Sequence, residues 1–185
     1  MKLDKDANKL KSENLDDSAK WFALYTKSRG EKKVYEQLKN ANYEVFLPIY
    51  TTLKQWSDRK KKVQEPLIRQ VVFLRITPKE LNDIYRFQLI TGVVREFGKP
   101  AIIKESEINT LRIVANEWNG ELIESENTEN LRVGDEIEVI KGSFTGVFGY
   151  TTDVKGKHRI VVYLRTLNVQ FSINIPKSHV RKVKR

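Results

Sequence analysis

The sequence predicts an α+β domain followed by a small all-β domain, and three observations carry that prediction. Residues 21–26, WFALYT, are apolar on both alternating faces and are followed by an amphipathic helical pattern. That combination suits a central strand covered by helices. The stretch NGELIESENTEN, residues 119–130, has four Glu, three Asn and only Leu122 and Ile123 as apolar residues, so it reads as a linker. Beyond it the chain turns to short strand-like runs, ending in Val169, Phe171, Ile173 and Ile175 alternating with Gln170, Ser172 and Asn174.

The elements follow in order. Residues 1–19 lack apolar periodicity and are expected to be a disordered or weakly ordered tail. In Trp21–Thr26, Trp21, Ala23 and Tyr25 share one face and Phe22 and Leu24 the other. RGEKKVYEQLKNAN then places Val34, Leu38 and Ala41 on one helical face, with Arg29, Lys32, Lys33 and Glu36 outside. YEVFLPIYTTLKQW reads as a strand broken by Pro48, SDRKKK as a hairpin loop, and VQEPLIRQVVFLRI as the return, with Pro66 before the apolar core Val71–Leu74. Thr77 is predicted to cap a helix PKELNDIYRF with Leu81, Ile84 and Tyr85 inside, and TGVVREFG to be one short strand. Ser106 is predicted to cap a helix EINTLRIVANEW. With about three helices, either one face of the sheet stays open and apolar, which would mark a docking surface, or helix 104–118 or the second domain covers it. The expected domains are 20–117 and 131–185, joined by a linker at 118–130. The second, with DEIEVI, VFGYTTDV, HRIVVYL and VQFSINI, is expected to be a closed barrel.

Charge is uneven along the chain. The total is +10: residues 1–20 balance, residues 21–117 carry 18 basic and 11 acidic groups, residues 118–130 carry four Glu and no base, and residues 131–185 carry 11 basic and four acidic groups. Two basic bodies flanking an acidic connector suggest a polyanionic partner, nucleic acid or a nucleoprotein machine. The candidate contacts are Lys27, Arg29, Lys32 and Lys33 at one helix start and Arg59, Lys60, Lys61 and Lys62 at the hairpin tip, with Tyr25 and Trp56 near them in sequence. The absence of cysteine excludes disulfides and thiolate chemistry, and two histidines, His158 and His179, are too few for a histidine-rich metal site. No apolar run reaches the roughly 20 residues of a membrane span, so a cytoplasmic protein without a membrane partner is expected.

The glycine-rich stretch GSFTGVFG, residues 142–149, raises the question of a phosphate loop. Its glycines lie four and three apart, no Lys-Ser or Lys-Thr follows, and no helical pattern comes next. Turn glycines in a β unit are the better reading. The carboxylate pairs Glu105 with Glu107 and Asp135 with Glu136 sit at a helix start and in a polar turn, where capping and solvation account for them. No catalytic residue, cofactor or metal is therefore assigned, and the protein is expected not to be an enzyme.

WFALYTKSRGEKKVYEQL, then Phe46 to Pro48, EPL with VVFLRITP, and TGVVREFG resemble the N-terminal (NGN) domain of NusG-type transcription elongation factors. VGDEIEVIKGSFTGVFGY, residues 133–150, resembles the KOW motif that opens their C-terminal SH3-like barrel. The tail and Glu65-Pro66-Leu67 bring the chain closest to the specialised RfaH-like and UpxY-like antiterminators. The resemblance implies a monomer that grips the RNA polymerase clamp helices through an apolar cavity matching Tyr25, Ile68 and Phe73. It also implies contact with upstream or non-template DNA through Lys27, Arg29 and Lys33. Its KOW barrel would recruit a small-subunit ribosomal protein or Rho through Val147 and Phe148. Departures from the family pattern are Gln70 before Val71, Ser143 in place of a proline, and Thr91 before Gly92. The competing reading is a ribosome-associated or RNA-binding KOW protein.

Overall fold

The computed structural model describes residues 18–55, 59–117, 134–154, 157–173, 175 and 177–183. The expected tail and linker, Trp56, and the end of the basic C-terminus lie outside them. The first unit is built on strand β1 (Lys20–Thr26), whose double-sided apolar pattern makes it central. It pairs antiparallel with β5 (Val71–Ile76), with Ala23 opposite Phe73 and Tyr25 opposite Val71. Along its other edge it pairs with β6 (Ile90–Val93) and, further down, with β9 (Ile102–Ile103). Strand β2 (Glu44–Phe46) joins β5 from outside, giving the order β2-β5-β1-β6 with β9 beside β1.

Helices cover both faces of this sheet. Helix α1 (Glu31–Asn40) buries Val34 and Leu38 with Phe22, Leu24, Val72 and Leu74, and the 3-10 helix Glu80–Arg86 adds Leu81 and Ile84. Helix α2 (Glu105–Glu117) buries Ile108, Leu111, Val114 and Ala115 with Trp21, Ala23, Val71, Phe73 and Ile103. Of the two alternatives for this apolar face, an open docking surface or a cover, the second holds, and helix α2 is the cover. Its seat is fixed at the rim, where the Trp21 indole donates to Glu105 Oε2 at 2.7 Å and the Arg112 guanidinium lies 5.9 Å from the Trp21 ring and 5.4 Å from Phe46.

Local boundaries differ from the pattern in instructive ways. Pro48 does break the run: β2 stays in the main sheet, while β3 (Ile49–Gln55) leaves it to form a separate hairpin with β4 (Lys60–Pro66). Thr77 does not cap an α-helix; its hydroxyl donates to Glu80 at 2.6 Å at the start of the 3-10 segment, and Tyr85 is exposed rather than inside. Ser106 lies inside α2 and does not cap it; Glu107 instead accepts the Lys104 backbone N–H at 3.1 Å. TGVVREFG contains β6 and then a turn between β7 (Arg95–Glu96) and β8 (Lys99–Pro100). At that tip Phe97 and Gly98 have φ of 48° and 78° and Phe97 is 97% exposed.

The second unit is an antiparallel sheet of β10 (Glu136–Val139), β11 (Phe148–Val154), β12 (Lys157–Leu164), β13 (Val169–Ile173) and β14 (Val180–Lys182). Its order is β13-β12-β11-β10-β14, so among the described residues the sheet has two free ends, and the expected barrel is not closed. Val139, Val162, Leu164, Phe171 and Ile173 form its interior. The turns before β11 need their glycines, since Gly142 and Gly146 have φ of 86° and 88°. Gly146 N–H bonds Val139 O at 2.8 Å and Val139 N–H bonds Val147 O at 2.9 Å, so GSFTGVFG is a turn that closes the β10–β11 connection. The two units touch where the Thr166 hydroxyl donates to Glu107 at 3.1 Å.

Candidate functional site

The basic group after β1 rests on a constrained turn. Thr26 N–H bonds Gln70 O and Lys27 N–H bonds Leu89 O, each at 2.9 Å, and Arg29 takes a φ of 59°. A Cβ on Gly30 would lie 2.8 Å from the Lys27 carbonyl, so only glycine lets the chain turn directly into α1. The result presents Lys27, Arg29, Lys32 and Lys33 as exposed side chains around the first turn of α1, as the sequence led one to expect. Lys32 also donates to Gln64 O of β4 at 2.9 Å, which ties the helix start to the hairpin. Arg59, Lys60, Lys61 and Lys62 are exposed at the start of β4 and form the second basic group, on the separate hairpin.

Between these groups lies a cleft of about 520 Å³. Arg29 and Lys32 line one side, Lys54 and Tyr50 of β3 with Glu65 of β4 another, and Arg69 and Gln70 a third. Glu65 is ion-paired with Lys54 and accepts from the Tyr50 hydroxyl at 3.4 Å. The hydrogen bond from Lys54, helped by its charge and by Tyr50, holds the Glu65 carboxyl below its ordinary range. Burial, and then the charge of Glu65, push the Tyr50 phenol up. Glu31, buried at the start of α1, spends its carboxylate on the Gln70 N–H at 2.7 Å. Sequence reading missed Lys54, Arg69, Tyr50 and Glu65 as a group. They come from two separate segments of the chain; the β3–β4 register sets Tyr50 opposite Glu65, and Lys54 and Arg69 line the same cleft.

The expected apolar cavity is placed differently. Phe73 is fully buried and Ile68 is 8% exposed, so neither presents a surface in this conformation. Phe73 sits under α2, stacked at 5.9 Å on Phe46. Tyr25 alone of the three reaches solvent, at 46% exposure. It ends the same face of β1, opposite Gly92, and a Cβ on Gly92 would meet nothing within 4 Å. The open part of the sheet face is thus its Tyr25 end, next in the chain to the basic turn.

In the second unit the expected contact pair splits. Val147 is fully buried and belongs to the core, because its strand-entry position faces inward with Val139 and Val162; the expectation of a surface Val147 is corrected. Phe148, the next residue, faces the other way and is 51% exposed. Phe148 lines a cleft of about 290 Å³ with Lys104 and Glu107 at the start of α2. Phe144 is partly buried against the core.

The chain is similar to a solved structure described as domain interaction in Thermotoga maritima NusG, with 20% identity over 90% of this chain and 98% of that one and a TM-score of 0.49. It is also similar to a chain of the MjSpt4:Spt5 complex in conformation B, with 19% identity over 89% of this chain and 97% of that one and a TM-score of 0.29. The family model for NusG, described as transcription termination factor nusG, matches residues 19–112, which take in the whole first sheet and most of α2. Just over half of the chain lies within that match, and the protein belongs to the NusG family.

Proposed function

We propose that the protein is an elongation factor that binds RNA polymerase and DNA together and promotes transcription through pauses and terminators, as an antiterminator of particular operons in the RfaH-like or UpxY-like manner. The observation that carries this reading is the meeting of two surfaces at one end of the first sheet. Tyr25 is half exposed beside the open space at Gly92, and Lys27, Arg29, Lys32 and Lys33 follow at once around the start of α1. An aromatic with a polar tip suits a protein contact, and cations on a rigid turn suit phosphates. Polymerase would dock at Tyr25, while Ile68 and Phe73, both buried, would take no direct part in the contact. Upstream or non-template DNA would lie along the basic residues, extended by Arg59 to Lys62 on the hairpin. Binding both holds the clamp closed and shifts polymerase away from paused states; no bond is made or broken by the protein. In the second unit, Phe148 would meet a small-subunit ribosomal protein or Rho. The protein would act in the cytoplasm as a monomer.

Transcription in vitro through a terminator, with purified core polymerase, tests the reading. The protein should raise readthrough, and Tyr25→Ala should lower both readthrough and retention on immobilised polymerase while its melting curve stays like that of the parent. If polymerase is not retained and the protein instead sediments with ribosomes or binds RNA alone, the reading as an elongation factor is wrong.

A further inference from the structure

The cleft between the β1–α1 turn, the foot of the hairpin and the 67–70 turn has the size of a small-ligand site and an unusual charge arrangement. Four cations line it from three separate parts of the chain: Arg29, Lys32, Lys54 and Arg69. Among the described residues that line it, only two acids oppose them. Glu31 is buried, with its carboxylate on the Gln70 N–H at 2.7 Å, and so is committed to the turn. Glu65 is the other, and it holds Lys54 with help from Tyr50. A cleft with positive walls and one accessible carboxylate suits an anion whose oxygens can take several charge-assisted hydrogen bonds at once.

We infer that this cleft is a phosphate-binding site, in which Lys54 and Arg69 join Arg29 and Lys32 as the cationic walls and an arriving phosphate displaces Glu65 from Lys54. The ion pair then acts as an internal competitor. It keeps Lys54 placed over the cleft when the site is empty and sets a threshold that a single weak anion does not overcome. The phosphate has two possible sources, a nucleic-acid backbone or a free polyphosphate such as that of a nucleotide. For the first source the inference rests on the DNA contact proposed above, and for the second it stands apart from it; in neither does it need the polymerase contact at Tyr25.

Two titrations test it, both at low salt and without divalent metal: a fluorescently labelled single-stranded oligodeoxynucleotide followed by anisotropy, and inorganic tripolyphosphate followed by calorimetry. Lys54→Ala/Arg69→Ala should weaken at least one of them about tenfold, from the loss of two charge-assisted contacts. Lys39→Ala/Lys79→Ala removes the same charge on the α1 and 3-10 side and should cost less than about threefold, the long-range share alone. Glu65→Gln should tighten binding up to about fivefold, the worth of one exposed ion pair. Circular dichroism melting verifies that each variant is folded. Response to the strand alone assigns the site to a nucleic-acid backbone, and response to tripolyphosphate assigns it to a free phosphate ligand. Equal losses in the two double variants, no loss in the cleft variant, no binding by the parent, or weaker binding by Glu65→Gln would overturn the inference. The polymerase retention of Tyr25→Ala is read separately, so failure here leaves that half of the proposed function standing.

Discussion

Gln70 holds a φ of 60°, a region that costs a side-chain-bearing residue about 1 kcal/mol or more. The bond from its N–H to Glu31 belongs to the backbone and survives substitution. Gln70→Gly should therefore keep the turn and raise stability by about 0.5–1 kcal/mol, the relief of strain less the added freedom of the unfolded chain, read as a higher urea midpoint. A second residue-scale test separates neighbours: Val147→Asp should unfold the second unit, because a carboxylate would enter a fully buried site, while Phe148→Asp should leave its melting nearly unchanged. Equal melting of the two would put Val147 back on the surface. The sequence shows these two residues only as adjacent and apolar. Which of them faces in depends on where β11 begins, and the glycine turn fixes that start one residue later than the motif suggests.

At the level of elements, α2 governs what the first sheet can show. Leu111→Ala in that helix should cost about 2–5 kcal/mol, since Leu111 is fully buried over the Phe73 face, and a calorimetric scan would measure it. The hairpin gives a pH test. The Glu65 carboxyl is held below its ordinary value of 4.5, chiefly by Lys54, so its contribution to stability is full above that value and is lost as pH falls through the lower folded-state pKa. The stability gap between the parent and Glu65→Gln should thus be present at pH 7 and shrink below about 4.5, as followed by urea titrations at several pH values. Both strands of this hairpin and both helices could be read from periodicity and proline, yet their placement could not. Periodicity shows that a helix has an apolar side; it does not say which face of the sheet the helix will seek. Likewise Lys54 and Glu65 are unremarkable on their own strands; the register sets Lys54 opposite Lys61 and Glu65 opposite Tyr50, so their ion pair follows from no spacing in the sequence.

For the whole molecule, the excess of positive charge predicts a steep fall of nucleic-acid affinity with salt. Replacing Arg59, Lys60, Lys61 and Lys62 by alanine should flatten the log–log salt slope by about one for each cation that meets a phosphate, as measured by anisotropy from low to physiological salt; an unchanged slope would take the hairpin out of the nucleic-acid path. The basic surface of the first unit and the β character of the second were legible from composition and alternation. The unclosed second sheet was not, because strand count and alternation are the same in an open sheet and a barrel. That sheet also carries a consequence for how the chain assembles. β11, β12 and β13 follow one another with short connections and can pair as soon as they are made, but β10 finds its second neighbour only in β14, at the far end of the unit. Closing so long a loop is slow relative to local pairing, so β14 should dock last and complete the unit's sheet only after β10 to β13 have paired.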